Sequence, residues 1–292
     1  MTLRRSAPAK INLVLNILGR REDGFHELET LILPVPLHDE LTFEPGGDTV
    51  TLTCSHPDVP TGPANLILRA AGAFSAATGT RWGGRIHLEK RIPMEAGLGG
   101  GSSNAAVTLQ TLNELAGHPL SAEKLVRLAA ELGSDVPCFL AGGPVLGRGR
   151  GEQLEPVAPL TALRGLALLL IHPGFGVSTP WAYRRLADFP EALHGTPGRA
   201  AQVAADLAAG RREAGLAGCV NSLEAPVWHK FPVLELYARF LVEHGALRAR
   251  MSGSGSTTFA LFADAATAET ARERFLAHFG ATCWTALLPL DA

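Results

Sequence analysis

Residues 10–17, KINLVLNI, alternate without a break. Ile11, Leu13, Leu15 and Ile17 fall on one side of an extended chain, and Lys10, Asn12, Val14 and Asn16 on the other. This period of two predicts a strand, and further strand-like runs follow at about 28–36, 40–45, 49–54 and 85–90. From Asn65 to Thr78 the period changes to that of a helix, with Leu66, Ala70, Ala73 and Ala77 on one face. A second helix runs through Leu115, with Ala105, Leu109, Leu112 and Ala116 on one face and Gly117 as its stop. A third follows Ser121, carries Leu125, Leu128, Ala129 and Leu132, and ends at Gly133.

A Gly/Pro-rich passage, AGGPVLGRGRGEQLEPVAP, separates this half from a second mixture of elements. That half opens on the apolar run GLALLLI (Gly165–Ile171), which reads as a buried strand. Ala-rich helices, a strand at 257–263, a helix at 265–279 and a final strand follow. Strands and helices mix without regular alternation, which predicts an α+β protein. The division is expected near 155, giving domains 1–155 and 156–292.

Composition narrows the classes. With 46% hydrophobic and 18% charged residues, the 292-residue chain can fill a core and is not of disordered type. A net charge of −2 gives no reason to expect nucleic acid or an anionic membrane as partner. No apolar run approaches a membrane span, and the N-terminal residues lack a signal-peptide pattern. Cys54, Cys138, Cys219 and Cys283 are scattered, with no metal-ligand spacing, so free thiols in a cytoplasmic protein are expected and no metal site is. Only four lysines occur, Lys10, Lys90, Lys124 and Lys230. Arginine is the default cation here, so each lysine marks a place where a compact ammonium has a use.

One stretch asks for a chemical reason. PMEAGLGGGSSNAA (Pro93–Ala106) sets Gly97, Gly99, Gly100 and Gly101 against the start of the second helix. Each ordered glycine costs about 0.5–1 kcal/mol relative to alanine. A helix start offers unpaired N–H groups and the positive end of the macrodipole, so such a loop makes a phosphate cradle. Ser102 and Ser103 are candidates to cap that helix, to touch phosphate oxygens or to help place Mg²⁺. G-x-x-x-x-G-K-[ST] is absent and G-x-G-x-x-G fails at every register.

PMEAGLGGGSSNAA resembles the central ATP-binding motif of the GHMP kinases. APAKINLVLNILGRREDGFHELET (7–30), LGSDVPCFLAGG (132–143) and MSGSGSTTFALF (251–262) are similar to motifs of the same family, in its order. The first of these points to the branch that acts on a cytidine diphosphate-linked polyol. The resemblance implies a two-domain GHMP fold, with ATP and substrate in an inter-domain cleft, Mg²⁺ as cofactor, and a monomer or homodimer. It implies ATP binding by Pro93, Met94, Glu95, Ala96, Gly97, Leu98, Gly99, Gly100, Gly101, Ser102 and Ser103, with Asn65 near the adenine unless it merely caps its helix.

The reaction implied is phosphoryl transfer to an alcohol, which needs positioning, charge neutralisation and a proton acceptor. By resemblance Asp135 is the base, and Lys10 orients it and neutralises charge on the transferred group, with Asn12 as a further polar contact. The resemblance also gives Phe25 and His26 to the cytosine, one by stacking and one by a hydrogen bond. Thr179 and Tyr183 would form the other side of that pocket, with Tyr183 opposite Phe25. Two departures from the family pattern stand out. Phe25 occupies a position where tyrosine is more common, and Glu95 and Ala96 stand where many relatives have glycine. Glu95 is therefore expected to point away from the triphosphate or to sit by the nucleoside. Two other readings remain at this point. One is a GHMP kinase of homoserine or mevalonate type, which would have no use for a cytidine pocket. The other is a non-catalytic nucleotide-binding regulator, which would have no use for both Lys10 and Asp135.

Overall fold

The structure, a computed structural model, describes residues 2–290. In chain order its elements are β1 (Leu3–Arg20), β2 (His26–Pro45), β3 (Val50–Cys54), α1 (Leu66–Thr78), β4 (Gly84–Glu89), α2 (Gly100–Leu115) and α3 (Ala122–Leu132). Next come β5 (Val145–Arg148), β6 (Gln153–Pro156), β7 (Leu166–His172), α4 (Thr179–Arg185), α5 (Pro190–Leu193), α6 (Arg199–Ala208) and α7 (Arg212–Ala217). The chain ends with α8 (Glu224–Lys230), α9 (Pro232–Glu243), β8 (Arg248–Met251), β9 (Thr258–Phe262), α10 (Ala265–Phe279) and β10 (Trp284–Leu290). The α+β class expected from the mixture of periods is what the chain adopts.

The chain forms two compact units that interleave along the sequence. Unit 1 takes the residues up to Ala9, Leu37–Pro93 and Gly99–Gly142; unit 2 takes Lys10–Pro36, Met94–Leu98 and everything from Gly143 onward. A cut at 155 therefore does not separate them. Strands β1 and β2 each contribute residues to both units, and a linear reading of composition has no means of seeing that.

In unit 1 the second part of β2 pairs antiparallel with β4 from Glu40↔Glu89 to Pro45↔Gly84, and β4 pairs parallel with β3. Ala7, Leu41, Phe43, Leu52, Ile67, Ile86, Leu88 and Val107 form its core. Helix α1 buries Ile67, Ala70, Ala71 and Phe74. The face expected around Leu66 and Ala73 is rotated because the bulk of Ile67 and Phe74 outweighs a run of alanines. Its ends are conventional: Asn65 Oδ1 accepts from the Ile67 N–H at 2.9 Å, and Gly79 closes it with φ +69°.

In unit 2 the first part of β2 pairs with β5, and β5 with β6. A separate antiparallel sheet has the order β10-β7-β9-β8. Strand β7, buried at every position from Leu166 to His172, lies between β10 and β9, which is why its sequence is a continuous apolar run. Tyr237 and Phe240 of α9 meet Phe275 and Phe279 of α10 edge-on over this sheet. Buried Glu29 caps α6 from β2: its carboxylate accepts from the N–H groups of Gly198 and Ala200 and from Asn16 Nδ2. No helix among the described residues is long and apolar enough to cross a membrane.

Candidate active site

Strand β1 carries a buried polar cluster in unit 2. Lys10 and Asn12, two residues apart and so on one side of the strand, are 3% and 5% exposed. An unpaired buried ammonium is costly, so its partners define the site. Lys10 Nζ donates to Asn12 Oδ1 at 2.6 Å and to the Gly97 carbonyl at 2.9 Å. That contact fixes the Asn12 amide, whose Nδ2 donates to Thr30 Oγ1 at 2.9 Å; the Thr30 hydroxyl donates onward to the Val14 carbonyl at 2.6 Å. The Asn12 N–H reaches Ser252 Oγ at 3.3 Å, and that hydroxyl donates to the Gly97 carbonyl at 2.9 Å. Two glycine-rich segments thus meet at Lys10.

Both segments need glycine where they meet. At Gly97, φ is +75°, and a Cβ would stand 2.0 Å from the Ser252 carbonyl oxygen. At Gly253, φ is +58°, and a Cβ would lie 3.2 Å from Lys10 Nζ and 3.4 Å from Asn12 Oδ1. The 251–253 backbone is held from behind by Asn221, whose Nδ2 donates at 2.8 Å to the carbonyls of Met251 and Gly253. Glu224 Oε1 accepts from the Met251 N–H at 2.8 Å. Burial pushes the Glu224 carboxyl up to about 7, against the opposing pull of Arg250. Asn221 and Glu224 escaped the sequence reading, because nothing in local spacing links them to residues 251–253.

Glycine-rich segment 93–103 is divided between the units. Met94, Glu95, Ala96, Gly97 and Leu98 belong to unit 2; Pro93, Gly99, Gly100, Gly101, Ser102 and Ser103 belong to unit 1. Glu95 adopts φ +50°, uncommon for a residue with a side chain, and turns that side chain against Gly176. Helix α2 begins at Gly100, with Gly99 as N-cap at φ +71° and no side-chain cap. The expectation that Ser102 or Ser103 caps the helix is therefore corrected: both lie inside its first turn. Ser103 is fully buried, and its Oγ finds no hydrogen-bond partner among the described residues. Gly101 is open, the nearest atom to an added Cβ being Leu66 Cδ1 at 3.6 Å. Asn65 therefore stands beside the start of α2, with its amide engaged in capping α1 and in donating to the Pro60 carbonyl at 2.7 Å.

Asp135, half-buried, lies in unit 1 just beyond α3, in a turn where the Val136 N–H donates to the Gly133 carbonyl and Cys138 Sγ to the Asp135 carbonyl. Phe25 and His26 follow a tight turn in which the Phe25 N–H donates to Asp23 Oδ1 and the Gly24 N–H to the Arg21 carbonyl, with Gly24 at φ +84°. The Phe25 ring is 53% exposed, with the Arg150 guanidinium 4.5 Å from its centroid. The Tyr183 ring contacts that of His26, at 5.4 Å between centroids and 40° between planes. Burial, aided by Arg20, lowers the His26 pKa below its ordinary value, so the imidazole is neutral at pH 7. Thr179 Oγ1 lies 2.7 Å from Ser254 Oγ, which links the start of α4 to the 252–255 loop. The structure thus groups Lys10, Asn12 and Gly97 at one point, His26 and Tyr183 at a second, and Thr179 with the 252–255 loop at a third.

Comparison with known proteins agrees with this arrangement of motifs. Residues 65–143 match the family model for the GHMP kinases N terminal domain, and residues 199–281 that for GHMP kinases C terminal. The chain is similar to the 4-diphosphocytidyl-2-C-methyl-D-erythritol kinase of Moorella thermoacetica, 43% identical over 97% of this chain and 98% of that one. It is also similar to the enzyme of that name from Pelotomaculum thermopropionicum, 42% identical over 94% of each chain. A crystal structure of 4-(cytidine 5'-diphospho)-2C-methyl-D-erythritol kinase superposes with a TM-score of 0.82 at 38% identity, covering 99% of this chain and all of that one. The homoserine kinase of Cytophaga hutchinsonii superposes at 0.75 with 19% identity, which is a likeness of fold.

Proposed function

This chain belongs to the GHMP kinases, and from that premise we propose that it transfers the γ-phosphoryl of ATP to the 2-hydroxyl of 4-diphosphocytidyl-2-C-methyl-D-erythritol. The products are ADP and the 2-phosphate, a step of non-mevalonate isoprenoid precursor biosynthesis. The observation that carries this reading is full-length likeness, near 40% identity, to kinases named for that substrate.

Residue roles follow the chemistry. The loose transition state of phosphoryl transfer asks for placed positive charge and a proton acceptor more than for covalent help. Lys10, buried and anchored by Asn12 and the Gly97 carbonyl, supplies charge in a fixed place. Asp135 accepts the proton of the substrate hydroxyl. The open N-terminus of α2 at Gly99–Ser102 receives the phosphates, and Asn65, beside it, stands near the adenine. Phe25 offers an exposed face for stacking on cytosine, and neutral His26, held by Tyr183, a polar edge to select it. Thr179 approaches the same nucleoside.

Mg²⁺, which the family implies, supplies charge neutralisation on the phosphates when bound. The described residues hold no group of three His, Cys, Asp or Glu side chains placed to hold a metal ion. Mg²⁺ would come with the nucleotide, keeping several waters and taking few protein ligands. Work in the cytoplasm, as a monomer or homodimer, is part of the same reading, and the four cysteines are free thiols.

The test is ADP release from Mg·ATP with the cytidyl substrate, homoserine or mevalonate as acceptor. Turnover only with the first supports the reading, and turnover only with another alcohol overturns the substrate. Gly101→Asp tests the nucleotide site separately. Its carboxylate suits the first turn of a helix and leaves the fold intact, but repels a triphosphate there, so ATP affinity falls at least about ten-fold. Unchanged affinity would remove the loop from the ATP site.

A further inference from the structure

The glycine-rich segment is held at both ends by one carboxylate that no motif points to. Asp39, in β2, is completely buried. Its Oδ1 accepts from the N–H groups of Arg91 and Ile92, both at 2.8 Å, immediately before the segment. Its Oδ2 accepts from Asn104 Nδ2 at 3.1 Å, in the first turns of α2, immediately after it. Oδ2 also receives Lys90 Nζ at 2.7 Å, and that ammonium donates onward to the Ile92 carbonyl. Lys90 lies under the start of the helix: a Cβ on Gly100 would be 3.1 Å from its Nζ. An ammonium at the positive end of a helix dipole is disfavoured, and burial adds to this by lowering the Lys90 pKa. Asp39 is the charge that makes this placement tolerable.

Such a cluster is more than the fold requires. Two apolar residues of similar volume would fill the space at no less stability. What they could not do is fix the directions of four donors at once, two before the loop and two at or beneath its far end. Asn104 adds a detail of the same kind: its Oδ1 finds no partner among the described residues, and its Nδ2 donates to Asp39.

We propose that Asp39, with Lys90 and Asn104, is a positioning clamp that fixes both ends of segment 93–103 and so presets the conformation that receives the phosphates of ATP. The clamp rests on the reading of this segment as the nucleotide site. Asp39 acts as a positioning residue, through the backbone N–H groups of residues 91 and 92 and through the side-chain amide of Asn104.

The experiment uses the full chain carrying Asp39→Ala, Asp39→Asn or Asn104→Ala, with amide hydrogen exchange and separate KM values for ATP and for the cytidyl substrate. In Asp39→Ala the KM for ATP rises about ten-fold or more, as loss of hydrogen bonds to a charged group implies. The KM for the cytidyl substrate stays within about two-fold, and amides 98–103 exchange at least about ten-fold faster while those of β7 and β9 keep their rates. Asp39→Asn, which retains an acceptor for Arg91 and Ile92, recovers part of the ATP affinity. Should Asp39→Ala fail to fold, Asn104→Ala serves, with a rise in ATP KM of about three-fold and none in the other. An unchanged ATP KM, an equal rise in both KM values, or exchange at 98–103 no faster than in wild type overturns the clamp. Gly101→Asp separates the two levels. If it weakens ATP while the folded clamp variants do not, the clamp alone is wrong; if neither does, the nucleotide site has been misplaced and the clamp falls with it.

Discussion

Gly97→Ala is the smallest change that should damage both stability and turnover. Its φ of +75° lies in the left-handed region, which costs a residue bearing a Cβ about 1–2 kcal/mol. The new methyl would stand 2.0 Å from the Ser252 carbonyl oxygen and 3.1 Å from that of Gly255, so the two glycine segments must separate by more than ~1 Å. Forced overpacking of this kind costs about 1–3 kcal/mol, for a total of roughly 2–5 kcal/mol. At about 2–4 °C per kcal/mol for a chain of this size, the melting temperature falls by roughly 4–20 °C. Because Lys10 is anchored on the Gly97 carbonyl, the same movement shifts the ammonium, and a displacement near 1 Å is worth about a hundred-fold in kcat. Thermal melting and steady-state ADP release measure the two effects. Gly101→Ala is the control for stability: its Cβ meets only Leu66 Cδ1 at 3.6 Å, so melting is unchanged or raised by the helix preference of alanine. A Gly97→Ala enzyme that melts and turns over like wild type would refute the argument.

Glu224→Gln tests the buried carboxyl. Its folded value of about 7 lies above the ordinary 4.5, so the folded state holds the extra proton between these values. Its contribution is present below pH 4.5 and lost as pH rises through 7, by up to about 3 kcal/mol. Wild type therefore loses stability relative to Glu224→Gln across that window in urea unfolding, and parallel pH profiles would contradict this. Asn12→Ala leaves Lys10 Nζ and Thr30 Oγ1 each short of a buried partner; kcat falls about ten-fold or more while ATP affinity holds, and wild-type kcat would exclude Asn12 from the site. Tyr183→Ala frees the His26 ring and raises the KM for the cytidyl substrate about three- to ten-fold. Equal KM values in Tyr183→Ala and wild type would detach the pair from substrate recognition.

Much of the fold was legible because periodicity is local. Helix α10 occupies the predicted 265–279, and β7 follows the apolar run at 165–171. What failed was either irregular or long-range. Strands β5 and β6 lie in the Gly/Pro-rich passage that reads as a connection, and their pairing with β2 and with each other overrides weak local preference. Strand β2 reads as two runs, about 28–36 and 40–45, which the structure joins across residues 37–39. The structure accommodates Pro34 and Pro36 between the stretch that pairs with β5 at 30–32 and the stretch that pairs with β4 at 40–45. Alternation in β1 placed Lys10, Asn12 and Asn16 on one side but could not tell that this side is buried as deeply as the other. The scarcity of lysine marked Lys10 and Lys90 as informative, yet the partner of Lys90 lies 51 residues away, beyond any spacing rule.

The proposed division of labour has Asp135 and Lys10 do the chemistry while the glycine segment holds ATP. It is tested most directly by comparing Asp135→Asn with wild type, in kcat for the cytidyl substrate and in ATP affinity measured by calorimetry. Asp135→Asn is expected to lower kcat by about 10²–10⁴, with ATP affinity within about two-fold of wild type. Wild-type kcat in Asp135→Asn would contradict it, since a base that can be removed without loss was never the base.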